Sequence, residues 1–154
     1  MRRIGSDTIK GFTLIEILIV VSVTMLLAVG LLPVYSNLMS SAQLNDNTPR
    51  IIQALRQAQG QSLNRIGNVA HGVKFLSSAY VVYQGPDYNN RDSSLDQTYS
   101  LDSGLNLITT LTNNDVDFAL GSGAPNNTGS VILTQVTLGH RTITINTLGA
   151  IDQQ

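Results

Sequence analysis

The sequence predicts an α+β protein in which a long N-terminal transmembrane helix packs on a small C-terminal antiparallel β-domain. Three observations carry that class. Phe12 to Leu32 is an apolar run whose single charge is Glu16. Apolar residues keep helical spacing beyond the run. After Gly67 the pattern turns to short apolar or alternating stretches separated by Gly, Asn, Asp and Pro.

Taken in order, residues 1–11 form a short polar leader holding Arg2, Arg3 and Lys10 against the lone acid Asp7. Positive residues stay on the cytoplasmic side, so the C-terminal part is expected outside. The apolar run follows, interrupted only by Thr13, Ser22, Thr24 and Gly30. At about 1.5 Å per residue, some twenty such residues cover a hydrocarbon core of roughly 30 Å. A secretory signal peptide would be shorter and would end in a small-residue cleavage site, which Leu31-Leu32-Pro33-Val34-Tyr35 does not offer. A plain signal anchor explains the hydrophobicity but not Gly11 or Glu16. An ionised carboxylate inside a membrane helix costs on the order of 2.5–3.5 kcal/mol, so Glu16 requires a partner or a function.

Val34, Tyr35, Leu38, Met39 and Ala42 extend the helical pattern. Asn45-Asp46-Asn47-Thr48-Pro49 then interrupts it, with Thr48 and Pro49 suited to an N-cap and a first helical position. A kinked single helix and two separate helices both fit. Ile51, Ile52, Leu55, Ala58, Ser62, Leu63 and Ile66 give the next segment one apolar-to-small face, and Gly67 is the expected stop. Strands are predicted near Val69–Phe75, Tyr80–Tyr83, Leu105–Thr110, Val116–Ala119, Val131–Thr137 and Thr142–Asn146. Gly139-His140 reads as the turn joining the last two. Gln84–Ser103 reads as a long polar loop and Gly121–Gly129 as a shorter one.

Gly11-Phe12-Thr13-Leu14-Ile15-Glu16 behind a basic leader resembles the processing site of type IV prepilins and pseudopilins. The resemblance implies that a prepilin peptidase cuts between Gly11 and Phe12 and N-methylates Phe12. It implies that Glu16 pairs with the N-terminal amine of a neighbouring subunit during assembly. Pro33 matches a common proline of the family's first helix. The implied organisation is a prepilin leader at 1–11, a membrane-spanning and amphipathic helix at 12–46, and a globular helix-plus-β domain at 47–154. The implied partners are the prepilin peptidase, other pilin or pseudopilin subunits, the inner-membrane assembly platform and the lipid bilayer. The implied location is the cytoplasmic (inner) membrane, single-pass with the C-terminus outside, and then a pilus or periplasmic pseudopilus.

A narrower resemblance lies in the globular part. Leu55-Arg56-Gln57-Ala58-Gln59 and Val73-Lys74-Phe75 are similar to the helix-to-strand region of the GspH/FimT group of minor pseudopilins and pilins. Asp117-Phe118-Ala119-Leu120-Gly121, Val131-Ile132-Leu133 and Arg141-Thr142-Ile143-Thr144-Ile145 are similar to its C-terminal strands. A non-catalytic minor pilin or pseudopilin is the function this implies. A major pilin and a DNA-uptake minor pilin are the alternatives.

Composition narrows the chemistry. The chain of 154 residues has a net charge of −1 and no cysteine, so an exported domain must rest on its core and on assembly. No nucleophile motif accompanies its serines, and neither catalytic residues nor a cofactor are expected. His71 and His140 stand far apart and make no zinc pattern, and His71 is expected to face solvent or make one hydrogen bond. Asp87-Tyr88-Asn89-Asn90-Arg91-Asp92 has oxygen ligands for calcium but lacks the EF-hand glycine and distal glutamate, so a solvated turn is expected. A DNA receptor needs exposed basic residues, and the β-domain offers only Lys74, Arg91 and Arg141.

Overall fold

Thr13 sets the start of the first element. Its hydroxyl accepts the Glu16 backbone N–H at 3.3 Å, which satisfies one orphan donor of the helix start, and its carbonyl accepts that of Ile17 at 3.2 Å as the first intrahelical bond. The structure, a computed structural model, describes residues 11–135 and 139–154; the side chains of 29–37 lie outside that description. Helix α1 runs Leu14–Leu63. Eight strands follow: β1 His71–Phe75, β2 Ala79–Gln84, β3 Gln97–Ser100, β4 Leu105–Thr109, β5 Asp115–Phe118, β6 Gly129–Gln135, β7 Gly139–Ile145 and β8 Ile151–Gln153. The chain divides into two compact units, one ending at Ser36 and one comprising Asn37–Gln154. In the second, Ser40 and Leu44 are already buried.

In the first unit, the few polar side chains of the apolar run bond within the helix. Ser22 Oγ donates to the Leu18 carbonyl at 2.8 Å and Thr24 Oγ1 to that of Val20 at 2.9 Å. A hydroxyl satisfied by its own helix costs little in apolar surroundings. Among the described residues, no helix is long and apolar enough to cross a membrane. The run expected to do so continues into 29–32, and Pro33 follows it; the side chains of all these residues lie outside the described ones.

Helix α1 is unbroken at Asn45–Pro49, which settles the open choice as one helix. Pro49 withdraws one backbone donor. The preceding residues lace the same turn: Thr48 Oγ1 donates to the Leu44 carbonyl at 2.6 Å, and Asn47 Nδ2 to the Gln43 carbonyl at 2.9 Å and to Asp102 Oδ2 at 2.8 Å. At the other end the helix stops before the expected Gly67. Ser62 is tied outward there: its carbonyl accepts the Gly121 N–H at 2.8 Å and its Oγ accepts the His71 N–H at 2.8 Å. Arg65 (φ 54) then turns the chain through the left-handed region.

The strands form two antiparallel sheets, ordered β3-β2-β1-β5 and β4-β6-β7-β8. One core joins the inner faces of both to the buried stripe of α1, with Ile51, Leu55 and Ala58 meeting Val73, Val116, Phe118, Val131, Leu133 and Ile143. Strand β7 alternates as its sequence requires, burying Ile143 and Ile145. Three expectations change. The polar stretch Gln84–Ser103 contains β3, held by pairing with β2, and the C-terminal residues add β8 to β7. Gly139 and His140 are not a turn: they pair with Gln135 and Thr134 in the β6–β7 ladder. Residues 136–138, which include the expected strand end Thr137, lie outside the described ones.

Candidate functional site

Gly11 and Phe12 precede the Thr13 cap without regular structure. A methyl group placed on Gly11 would meet nothing within 4 Å, so no contact among the described residues requires glycine here. Phe12 is 79% exposed. Glu16 lies in the first turn of α1, where a negative charge complements the helix dipole. Thr13-Leu14-Ile15-Glu16 also has the spacing of a capping box, and the Thr13 half of it is formed. That local role was legible in the sequence as T-x-x-E before an apolar run. Among the described residues, no ion pair involves Glu16. Every described side chain from Phe12 to Ala28 is exposed.

The other candidate residues are separated or engaged. His71 is in β1 and His140 in β7, on different sheets, and no cluster of three metal-ligating side chains exists among the described residues. His71 does not face solvent; it is 3% exposed beside the end of α1, and its Nδ1 has no partner. Burial lowers its pKa below 6.5, against a smaller opposing effect from the Val69 backbone. The calcium candidates act as turn locks. Asp87 Oδ1 accepts the backbone N–H groups of Asn89 (2.9 Å) and Asn90 (3.0 Å), and Asp92 caps the turn at Ser93–Leu95 through Ser94 N at 3.0 Å. Hydrogen bonds from the Asn90 side-chain amide and then from these backbone groups lower the Asp87 pKa, and those from the Ser94 hydroxyl and then its backbone N–H lower that of Asp92.

The three basic residues of the β-domain are all committed. Lys74 pairs with Asp115 at 3.5 Å and donates to the Asn113 carbonyl. Arg91 binds Asp96 at 2.9 Å and stacks 3.7 Å from the centre of the Tyr88 ring. Arg141 donates to Asn45 Oδ1 at 3.2 Å. They lie in separate local networks and form no stripe of free cations for a phosphate backbone.

The sequence reading missed a buried polar network. Tyr83 Oη donates to Asp117 Oδ1, Asn126 Nδ2 donates to Asp117 Oδ2 at 2.6 Å, and Asn126 Oδ1 accepts the Asp117 N–H at 2.9 Å. Gly72 makes room for it, since a Cβ there would sit 2.5 Å from Tyr83 Oη. Burial raises the Asp117 pKa, with the Tyr83 hydrogen bond opposing; burial and that same hydrogen bond raise the pKa of Tyr83. The network occupies both ends of the Asn126 amide, so it binds the loop after β5 to the sheet.

No protein-family model matches the chain, and no curated protein matches it. Among solved structures it is similar to the minor pseudopilin EpsH from the type 2 secretion system of Vibrio cholerae, with a TM-score of 0.57 over 73% of this chain and 96% of that one. The two are 12% identical over the match, so the likeness is one of fold. A helix packed on two antiparallel sheets, matched to nearly the whole of that protein, gives this chain the pilin-like fold of a minor pseudopilin.

Proposed function

We propose that the chain is a non-catalytic minor pilin or pseudopilin, stored in the inner membrane with its C-terminus outside and built into a type IV pilus or a type II secretion pseudopilus. A prepilin peptidase cleaves between Gly11 and Phe12 and methylates the Phe12 amine. The apolar run from Phe12 to Leu32 anchors the subunit in the bilayer and then packs against other subunits. The supporting observation is the placement of Glu16: a carboxylate within the first turn of an exposed apolar helix, about one turn from Phe12, with no ion-pair partner among the described residues. The new amine of a neighbouring subunit is a partner of the right charge. Pairing relieves part of the cost of holding either group in a dry filament core. The engagement of Lys74, Arg91 and Arg141 disfavours a DNA receptor.

Mass spectrometry of the assembled protein tests the processing step. The expected N-terminus is methylated Phe12, and an intact leader in filaments would overturn it. For Glu16, wild-type and Glu16→Ala subunits are co-expressed and counted in isolated filaments. Normal cleavage with poor incorporation of the variant is expected; equal incorporation would overturn the pairing.

A further inference from the structure

The edges of the two sheets are treated unequally. On β5, the Asp117 carbonyl accepts the Asn126 N–H at 2.9 Å and the Asp115 carbonyl accepts Asn127 Nδ2 at 2.9 Å, so the loop after it covers that edge. On β4, the Leu107 N–H donates to the Ser77 carbonyl at 2.9 Å. Edge strand β8 is three residues long and carries Asp152, a charge that discourages further pairing. Edge strand β3, Gln97-Thr98-Tyr99-Ser100, has neither charge nor proline, and all four residues are exposed. Natural proteins blunt such edges, so one left plain is a place where another strand can pair.

The register says which groups of β3 face outward. The Leu101 N–H donates to the Ser78 carbonyl at 2.9 Å, one step beyond the Ser100–Ala79 pair. Hydrogen-bonded pairs alternate along an antiparallel ladder, so Tyr99 and Gln97 bond to β2. The N–H and C=O of Thr98 and Ser100 therefore point to the open side. A groove of about 240 Å³ runs between this strand and α1, lined by Arg50, Gln53, Gln57, Tyr80 and Tyr99. Its floor is ordered: the Tyr80 and Tyr99 rings stack at 5.1 Å, and Gln97 Oε1 accepts from Gln57 Nε2 (3.3 Å) and Tyr99 Oη (3.1 Å). Arg50 is exposed, and no carboxylate pairs with it among the described residues.

We infer that the β3 edge and the groove beside α1 receive an extended segment of another protein as an added strand, with an acidic side chain of that segment directed to Arg50. Thr98 and Ser100 supply the backbone bonds. The side chain opposite Tyr99 enters the groove, where the tyrosine ring packs its stem and Arg50 meets its carboxylate. An exposed strand edge beside a helix-lined groove combines the two parts of strand addition: main-chain bonds for affinity and a pocket for every second side chain. This inference does not rest on the assembly reading of Glu16.

The test uses the full chain in detergent and a labelled peptide, Thr-Val-Asp-Val-Thr-Val, against its Asp-to-Lys counterpart, read by fluorescence anisotropy. The acidic peptide is expected to bind at least about tenfold more tightly, a difference of 1.4 kcal/mol. Thr98→Pro removes an outward donor without touching the β2 ladder and should abolish that binding, with circular dichroism unchanged. Arg50→Glu, an exposed substitution, should reverse the preference between the two peptides. Failure of the acidic peptide to bind, equal affinity for both peptides, an unreversed preference in Arg50→Glu, or binding unchanged in Thr98→Pro would overturn the inference. So would self-association that Thr98→Pro abolishes, which would assign the edge to a second copy.

Discussion

Ile17, Leu18 and Ile19 are 51–55% exposed, whereas Ile51 and Leu55, farther along the same helix, are fully buried. The residue types are alike and the environments opposite. In the second unit an apolar stripe alternates with Gln and Arg and finds two sheets to cover it. In the first, apolar residues surround the helix. One stretch of α1 is thus stabilised within its own chain, and the other is the stretch that the proposed membrane storage and assembly would cover.

Mutation of the two stretches tests that contrast most strongly. Phe118→Ala or Leu55→Ala should cost the globular unit about 2–5 kcal/mol, because both side chains are fully buried in its core. Leu18→Ala should shift the same unfolding transition by less than about 0.5 kcal/mol, since its side chain is outside that core. Urea unfolding of the full chain in detergent, followed by tyrosine fluorescence, measures both. Equal effects would break the distinction between the units.

The buried polar network sharpens the comparison from inside the second unit. Tyr83→Phe deletes the hydroxyl that donates to Asp117 and leaves a buried carboxylate one bond short. The expected loss is about 1–3 kcal/mol. The Asp117 pKa should also rise further, since the Tyr83 hydrogen bond now holds it down. Carboxyl titration by NMR reads that shift, and an unmoved Asp117 would show that the hydroxyl does not support it.

The pH dependence tests two buried groups with opposite signs. His71 has a folded pKa below 6.5, so the unfolded chain binds its proton first. Stability should fall as pH drops below about 6.5, down to the lowered folded value. Asp117 has a folded pKa above 3.8, so the native state binds its proton first, and stability from this group should rise as pH falls from that raised value towards 3.8. His71→Gln should remove the first slope and leave the second. Unfolding midpoints across pH 7 to about 3 measure both slopes. A purely local effect is expected at the helix start: Thr13→Ala removes the cap at Glu16 N and should fray the first turn by about 1 kcal/mol, seen as faster amide exchange there and no change in the globular unit.

Most of the fold was legible where periodicity was strong. Thr142-Ile143-Thr144-Ile145 announced β7, and the apolar spacing of Ile51, Leu55 and Ala58 announced the buried stripe of α1. Gln97–Ser100 carries no apolar alternation and became a strand only because β2 offered a partner. Gly139 looked like a turn residue from its type, yet at φ +105 it continues the ladder. The Tyr83–Asp117–Asn126 network joins residues 34 and 9 positions apart, a juxtaposition no local pattern encodes.

The sequence by itself determined the features that depend on neighbours along the chain: the apolar run with Glu16 at its head, the T-x-x-E cap, and the change from helical to strand period after Gly67. Hydrophobic period and local hydrogen bonding are properties of a few adjacent residues, so they can be read in order. Only the tertiary structure decided that α1 continues through Pro49, that it ends at Leu63, and that β3 lies open beside Arg50. Each of those outcomes depends on groups brought together from distant positions. Asp102 reaches Asn47 in the turn before Pro49, Gly121 and His71 tie the helix end at Ser62, and the pairing of β2 with β3 sets the Tyr99 ring against Tyr80.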